Sequence, residues 1–320
     1  MRHADPFRTE GLWLKTALHT HTIRSDGDLE PEAQARHYQW AGFDVLAITD
    51  HWTLTSTPST RDLLVITGAE LAADPLAKGR FTEILGIGLT DIPEDPGGDR
   101  RFWEQIDNYS FKTFPDLTSA AGAITGQGGV AFVCHPYWSG LPAEVVMAAQ
   151  GVSGMEVFNA SAERENGRGD SSYIWDLALE SGMQLSGIAT DDTHYPMFDI
   201  GAGWVMVRAA ERTQGAVLEA LRSGAFYSSH GPAIHNVVRD GDRIEIATSP
   251  CFTIRLQTRW EEGLFVQADH RGRLERAQII ERDDEGQITR TRFDTTGLDL
   301  PYARMVAVDA RGRRAWTNTL

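Results

Sequence analysis

The stretch Leu12–His21 reads LWLKTALHTH and joins an apolar run to two histidines. A second stretch, Val45–His51, reads VLAITDH and ends in the same way, with an acidic residue and a histidine. Short apolar runs bounded by polar residues are typical of buried strands, which in parallel barrels carry their functional residues at the carboxyl ends. These two stretches therefore predict an α/β fold with a functional site at one edge of its sheet.

The same pattern continues through residues 12–225, where apolar runs alternate with helical patterns. The predicted strands are Leu12–His19, Phe43–Thr49, Leu63–Leu71, Glu83–Leu89, Gly129–Cys134, Gly154–Phe158, Gln184–Ala189 and Gly203–Val207. The predicted helices, which have cap or stop signals, are Glu30–Trp40, Ser171–Glu180 and Thr213–Arg222. Seven or eight strands separated by helices favour a barrel over an open sheet.

After Phe226 the helical periodicity gives way to short runs in which apolar and polar residues alternate, as in strands. These predicted strands are Arg243–Ala247, Thr253–Gln257, Leu264–Ala268, Arg276–Glu281, Arg290–Phe293, Arg304–Asp309 and Ala315–Thr319. Turns containing glycine separate them, among them Arg271–Arg273, and indicate a small antiparallel sheet or sandwich. We therefore predict two domains, 1–225 and 226–320. The most turn-rich linker is Asp91–Asp99.

Composition excludes several classes of protein. The chain has 320 residues, 41% of them hydrophobic, which is sufficient for a core and argues against disorder. Its net charge of −15 argues against binding a nucleic-acid backbone or an anionic membrane surface. Two cysteines cannot form a disulfide framework, and the first ten residues lack the apolar core of a signal peptide. We therefore expect a soluble, cytoplasmic protein.

Metal-binding residue types terminate several of the predicted strands. They are His19, His21, Asp26, His51, Glu70, His135, Asp192 and His194. Side chains two positions apart on a strand point to the same face of the sheet. The imidazoles of His19 and His21 can therefore reach one cation. Imidazoles and carboxylates without a cysteine cluster suit Zn, Mn or Fe. The remaining histidines His3, His37, His235 and His270 fit surface or structural roles, and His230 is not assigned to the site.

These motifs resemble the PHP (polymerase and histidinol phosphatase) domain, a family of metal-dependent phosphoesterases. The likeness is densest in His19–His51, with Ser25-Asp26-Gly27, Gly42-Phe43 and Thr49-Asp50-His51, and it continues through Glu70, Cys134-His135-Pro136 and Asp192-x-His194. The resemblance implies a distorted (β/α)7 TIM-like barrel. The tail, from Phe226-Tyr227-Ser228 to Ala315-Trp316-Thr317-Asn318, is similar to the β-rich extension of the carbaryl-hydrolase-like branch, which implies a β-sandwich-like second domain.

The resemblance also implies two or three divalent metal ions. One would take His19, His21, Glu70 and Asp192, a second would share Glu70 and take His135, and a third would take Asp26, His51 and His194. Glu83 stands where trinuclear members place a histidine. Glu83 then ligates through oxygen, or the second metal is weak or absent, or Glu83 is a solvated carboxylate at a strand start.

The expected chemistry is attack by a metal-activated hydroxide on the phosphorus of a small phosphate ester. The candidate catalytic residues are His194, Asp50 and Asp192. His194 or Asp50 would protonate the leaving group, although Asp50 could instead fix an imidazole tautomer. Candidate substrate-binding residues are Arg24, Arg164, Arg168 and Tyr137, and Trp138 is a further candidate for the pocket wall. In the alternative interpretation, the arginines are solvated and the aromatic residues pack under the next helix.

Two other functions fit the same residues. One is hydrolysis of an amide, carbamate or carboxylic ester by the same metal hydroxide. The other is a non-catalytic module that uses the metals for stability. The β-rich tail offers no separate chemistry, so we expect it to cover one side of the barrel or to mediate assembly; the sequence does not predict the oligomeric state.

Overall fold

The computed structural model describes residues 3–73, 82–93, 113–270 and 274–320. The linker Asp91–Asp99 is therefore described only to residue 93, and the turn Arg271–Arg273 lies outside the described residues. In the described residues no helix is both long and apolar enough to cross a membrane.

The first part of the chain contains both strands and helices. Its strands are β1 (Leu12–Ala17), β2 (Val45–Ile48), β3 (Leu64–Ala73), β4 (Thr82–Ile87), β5 (Thr113–Phe114), β6 (Val130–Val133), β7 (Gly154–Asn159), β8 (Ser186–Thr190) and β9 (Trp204–Ala209). Its helices are α1 (Pro31–Trp40), α2 (Leu117–Thr125), α3 (Pro136–Ser139), α4 (Ala143–Ala148), α5 (Ala160–Asn166), α6 (Ser172–Glu180), α7 (Pro196–Asp199) and α8 (Gln214–Ser223).

Local signals explain where several of these helices begin and end. The α1 helix starts with Pro31, whose fixed φ suits a first turn. The side chains of Asp116 and Thr213 accept hydrogen bonds from the backbone at the start of α2 and α8. Gly224 ends α8 with a φ of 74°, a left-handed conformation that favours glycine.

The second part of the chain is built from strands that pair in antiparallel fashion. They are β10 (Phe226–Ser229), β11 (Ile234–Asp240), β12 (Arg243–Cys251), β13 (Thr253–Gln257), β14 (Leu264–Gln267), β15 (Ala277–Arg282), β16 (Ile288–Asp294), β17 (Arg304–Val308) and β18 (Arg314–Thr317). One 3-10 turn, Trp260–Glu262, precedes β14.

Seven strands follow one another across the large sheet in the order β1-β2-β3-β4-β6-β7-β8. The segments that continue β1 and β8 meet through a parallel bridge between Thr20 and Thr193. Two strands depart from a regular (β/α)7 barrel, because β4 runs antiparallel to both β3 and β6, and β9 runs antiparallel to β1. The result is a mixed sheet with parallel groups β1-β2-β3 and β6-β7-β8.

The large sheet continues beyond the predicted domain boundary at residue 225. β10 pairs with β9 on one side and β18 on the other, and β17, β13 and β14 extend the same sheet. A separate four-stranded antiparallel sheet has the order β11-β12-β16-β15. Apolar residues of both sheets, among them Ile244, Phe293 and Met305, form one buried cluster between them. This pair of packed layers matches the sandwich-like arrangement predicted for the C-terminal part.

Candidate metal centre

Polar side chains converge where the strands of the large sheet end. His19 and His21 follow β1, Asp50 and His51 follow β2, Glu70 lies within β3, His135 follows β6, and Asp192 and His194 follow β8. Nearly all of these residues are buried, with His19, Asp50 and Glu70 at 2% exposure or less. A buried charge is costly unless another charge or a metal ion neutralises it. The charged members of the cluster therefore need either one another or a metal ion as partners.

Four donor atoms form the tightest part of the cluster. Nε2 of His19 lies 3.1 Å from Nε2 of His21 and 3.0 Å from Oε2 of Glu70. Nε2 of His21 lies 3.2 Å from the same Glu70 oxygen, and Oδ1 of Asp192 lies 3.2 Å from both imidazole nitrogens. We refer to His19, His21, Glu70 and Asp192 as the inner donor group.

The inner donor group fits a transition metal ion. Tetrahedral ligands at zinc distances of about 2.0 Å stand roughly 3.3 Å apart, close to the observed separations. Two imidazole nitrogens facing each other can share at most one proton. Oδ1 of Asp192 is buried, yet among the described residues it accepts no hydrogen bond. A cation bound by all four atoms would satisfy each of these donors.

A second group of donors, the outer donor group, adjoins the first through His21. It consists of His21, Asp26, His51 and His194, whose ligand atoms lie within 4.8 Å of one another. Oδ2 of Asp26 lies 3.5 Å from Nε2 of His51 and 3.4 Å from Nε2 of His194. The two groups share His21, so ions in both would be neighbours.

His135 and Glu83 lie on the other side of Glu70. Nε2 of His135 is 3.3 Å from Oε1 of Glu70 and 3.5 Å from Oε2 of Glu83. His51, Glu70 and Glu83 form a further group of possible ligands. Glu83 is only 4% exposed, so it is not the solvated carboxylate that was one alternative from the sequence. Burial and the charge of Glu70 raise the pKa of Glu83 to about 7.

Cys134 is a possible ligand that the sequence did not predict. Its sulfur belongs to a group with His19 and Glu70, and the residue is fully buried at the end of β6. Burial and the nearby carboxylates raise the pKa of the thiol well above its ordinary value. Because the thiolate is the form that binds metals, Cys134 is a poorer candidate than the imidazoles.

The cluster pulls the pKa values of its members in opposite directions. Burial would lower the pKa of His19, but Asp192, Glu70 and Glu156 outweigh it and raise that pKa well above its ordinary value. Burial would raise the pKa of Asp192, but His19 and His194 outweigh it and lower that pKa. Imidazoles and carboxylates of the cluster thus each favour the charged form of the other.

The backbone is strained at this site. Outside glycine, positive φ values in the described residues occur at Trp52, His135, Asp192 and Trp260, and the first three lie in the cluster or next to it. The φ values of His135 and Asp192 are 22° and 53°. Strained residues of this kind persist where the surrounding structure holds them for function.

Glu156 is a buried partner of two candidate ligands that the sequence did not identify. Its carboxylate lies 2.7 Å from Nδ1 of His19 and accepts hydrogen bonds from the backbone N–H of His135 and from the hydroxyl of Thr190. Asn159 donates to both Glu156 and Asp192 and so ties the two carboxylates together. The available signal was a single acidic residue inside the apolar strand Gly154–Asn159.

Asp50 is placed behind the cluster. Its carboxylate accepts hydrogen bonds from the backbone N–H and hydroxyl of Thr22 and from the hydroxyl of Ser25. Ser25 in turn lies 3.2 Å from Nδ1 of His21. Asp50 thus shapes the turn that carries Asp26 and reaches His21 through a hydroxyl.

A cavity of about 220 Å³ opens over the cluster. Asp26, His51, Glu70, Glu83, Asp192 and His194 face it, and Trp138, Ala162, Glu165 and Tyr195 form its walls. A larger, more open depression of about 660 Å³ lies on the four-stranded sheet near Arg243 and Arg276. No group of metal ligands among the described residues lines that depression, so the smaller cavity is the candidate site.

The predicted substrate-binding residues lie outside the described lining of this cavity. Arg24 is exposed and 3.7 Å from Glu30. Arg164 pairs with the buried carboxylate of Asp199. That carboxylate also accepts hydrogen bonds from the backbone of His194 and Tyr195.

The other two predicted substrate-binding residues contact each other. The guanidinium of Arg168 lies 5.6 Å from the ring centre of Tyr137, which is half exposed. The aromatic wall of the cavity is Trp138, whose ring meets that of His135 edge to face at 4.9 Å.

His230 does not join the cluster. Its ring stacks on Phe158 at 4.2 Å and on Trp316 at 5.4 Å, between the first and second parts of the chain. The sequence left this histidine unassigned, and its stacking identifies it as a packed aromatic.

No family model and no curated protein matches the sequence. Among solved structures, the chain is similar to a two-domain protein from Bacteroides vulgatus ATCC 8482 that contains a predicted PHP-like metal-dependent phosphoesterase. The two are 16% identical with a TM-score of 0.48, over 100% of this chain and 99% of that one. An amidohydrolase from Chromobacterium violaceum, with bound sulfate and no metal, is 17% identical with a TM-score of 0.39, over 57% and 89%. Neither of these two structures is described as belonging to the carbaryl-hydrolase-like branch.

Proposed function

We propose that this protein is a metal-dependent phosphoesterase that cleaves a small phosphate mono- or diester. The observation that carries the proposal is the inner donor group, in which the two imidazole nitrogens lie 3.1 Å apart and each lies 3.0–3.2 Å from an oxygen of Glu70 and from an oxygen of Asp192. Donors at these distances from the two imidazoles fit one divalent ion, and Asp26, His51 and His194 of the outer donor group would be the ligands of another. We infer two or three ions of Mn, Zn or Fe, with Glu83 and His135 as ligands of the third.

Divalent ions bound here would supply an activated water at neutral pH and would neutralise the charge of an anionic substrate. The chain's own residues orient the ligands. Glu156 faces Nδ1 of His19 and Ser25 faces Nδ1 of His21, so Nε2 of each ring is directed into the cluster. The carboxylates of this rim would otherwise repel a phosphate, which makes the ions a requirement for binding.

His194 is the better candidate for the proton donor to the leaving group, as the alternative to binding the outer ion, because a nitrogen bound to a metal has no proton to give. Its side chain is 22% exposed and faces the cavity, and hydrogen bonds from its backbone and that of Tyr195 to Asp199 fix the loop. Asp50 is fully buried, and its oxygens are occupied by Thr22 and Ser25. We therefore assign Asp50 to positioning the turn that carries Asp26.

We also propose that residues 1–225 carry the chemistry and that residues 226–320 cover one side of the barrel. The candidate ligands all lie between residues 19 and 194, which supports the first assignment. The large sheet continues through β10 into the second part, which supports the second assignment.

The test is a panel of p-nitrophenyl phosphate, bis-p-nitrophenyl phosphate and p-nitrophenyl acetate, assayed on protein loaded with Mn, Zn or Fe. Elemental analysis gives the number of ions bound. We expect turnover of one or both phosphate esters with metal and none after chelation. Turnover of the acetate alone would show a carbonyl hydrolase, and no turnover with any metal would leave a metal-stabilised binding module.

A further inference from the structure

The cavity over the metal centre has an acidic side chain in its wall, well away from the proposed ligands in the sequence. Glu165 lies on α5, and its carboxylate oxygen Oε2 accepts a hydrogen bond of 2.8 Å from the indole N–H of Trp138. Trp138 in turn packs edge to face against His135, with 4.9 Å between the ring centres. The carboxylate is therefore held one side chain beyond a candidate metal ligand.

Neighbouring arginines are engaged elsewhere. Arg164 pairs with the buried Asp199, and Arg168 lies over the ring of Tyr137. Among the ion pairs of the described residues, none neutralises Glu165. Its negative charge thus lies in the wall of the same cavity of about 220 Å³ that the candidate metal ligands line.

We propose that Glu165 sets substrate specificity, favouring phosphate esters whose alcohol part ends in an ammonium or hydroxyl group and disfavouring those that end in a carboxylate or a second phosphate. This inference rests on the proposed phosphoesterase function. The metal centre would take the phosphate, and Glu165 would meet the opposite end of the molecule. A carboxylate accepts hydrogen bonds from an ammonium or hydroxyl group, whereas it repels a second anion.

The size of the effect follows from the exposure of Glu165. The side chain is exposed to solvent, so water and salt screen its charge. Exposed charge pairs contribute up to about 1 kcal/mol, which corresponds to a preference of roughly fivefold.

The experiment measures binding of three phosphonates, which cannot be hydrolysed, to the Mn-loaded protein by calorimetry. The probes are 2-aminoethylphosphonate, propylphosphonate and 3-phosphonopropionate, which are similar in size and differ in terminal charge. We expect the amine to bind about fivefold more tightly than the carboxylate, with propylphosphonate between them. In Glu165→Gln the amide oxygen still accepts the Trp138 hydrogen bond, so the fold is preserved while the charge and the preference are removed.

The control is Glu144→Gln, which removes the same charge from an exposed position in the first turn of α4 and leaves the preference unchanged. Trp138→Phe frees the Glu165 carboxylate and is expected to reduce the preference without abolishing it. Equal binding of the three phosphonates by the wild type, binding of none of them, or an unchanged preference in Glu165→Gln would overturn the inference. The hydrolysis panel judges the proposed function separately, because phosphate-ester turnover without selective binding removes only the role of Glu165.

Discussion

Two histidines in different regions of the molecule have opposite electrostatics. At the metal centre, burial would lower the pKa of His135, but Glu70 and Glu83 outweigh it and raise that pKa to about 9. Where the second part of the chain packs on the first, burial, reinforced by Arg313, lowers the pKa of His230 to about 4. The centre has an excess of negative charge that favours cations, whereas burial beside Arg313 disfavours a proton on the His230 ring at the junction.

The C-terminal region, unlike the centre, pairs its arginines with carboxylates, either its own or those of the first part of the chain. Arg290 and Arg292 both pair with Glu245, and Arg304 forms a two-pronged pair with Asp176 of α6. At the centre, the carboxylates face imidazoles whose protonation depends on pH. The metal centre is therefore suited to binding cations, whereas the charged groups of the C-terminal region already have partners within the protein.

The largest effect is expected at the inner donor group. Asp192→Asn keeps the shape of the side chain and removes the charge that a bound cation requires. We expect hydrolytic activity to fall by more than about a hundredfold, beyond the 10–100-fold loss typical of partners that only orient ligands. Metal content measured by elemental analysis should fall with it.

The matched control is Asp309→Asn, which removes a carboxylate that pairs with Arg313 in the C-terminal region. Activity and metal content should remain at wild-type values there. If Asp192→Asn keeps its full complement of metal, the inner donor group does not bind it.

The next largest effect concerns the attachment of the C-terminal region. Arg304 is 1% exposed, lies over the ring of Trp175 at 4.6 Å and donates to both oxygens of Asp176. Arg304→Met leaves the mostly buried carboxylate of Asp176 with the Tyr302 hydroxyl but without its cation, so we expect a loss of about 3 kcal/mol in the free energy of unfolding, measured in urea.

Metal content per folded molecule should not change in Arg304→Met, because the pair lies outside the donor groups. Arg292→Met, at a more exposed pair, should cost at most about 1 kcal/mol. Equal losses in the two variants would mean that burial does not distinguish these pairs.

A smaller effect is expected from Glu156, which contacts the centre without belonging to either donor group. Glu156→Gln removes the negative charge beside Nδ1 of His19. We expect a 10–100-fold decrease in metal affinity, determined by competition with a chelator, because such partners fix the orientation and basicity of a ligating imidazole. Thr190→Val, which removes another hydrogen bond to Glu156, should have a weaker effect in the same direction. Unchanged affinity in Glu156→Gln would make this carboxylate purely structural.

Much of the fold could be predicted from the sequence because periodicity is a local property. The predicted strand Thr253–Gln257 matches β13 residue for residue, and β2 and β6 lie within the strands predicted for them. Strand direction is not local. β4 and β9 have the same apolar character as their parallel neighbours, and nothing in either pattern indicated that they run antiparallel.

The candidate site was predictable to the extent that its residues stand at strand ends. His19 and His21 carry that information in their spacing, and the structure brings them together with Glu70 and Asp192. Glu156 was missed because its importance comes from contacts with residues far away in the sequence. Motif position alone also could not separate Glu83, which is buried in the cluster, from a solvated carboxylate.

The smallest effect is expected at His230 and concerns the pH dependence of stability. An ordinary histidine has a pKa of 6.5, and in the folded protein the pKa of His230 is about 4. Above pH 6.5 the ring is neutral in both states and contributes no pH dependence. As the pH falls from 6.5 towards 4, only the unfolded chain takes up the proton, so stability is lost over that interval.

His230→Phe keeps an aromatic ring between Phe158 and Trp316 and removes the proton acceptor. It also removes a buried Nε2 that has no hydrogen-bond partner among the described residues. We expect the variant to be about 1–2 kcal/mol more stable than the wild type at pH 5 relative to their difference at pH 8, measured by urea denaturation. The charges near the ring are Arg313, which lowers its pKa, and Asp309, which raises it, so Asp309→Asn should widen the interval. If His230→Phe and the wild type lose stability in parallel between pH 8 and pH 5, the junction tolerates a charged ring and the contrast with the metal centre does not hold.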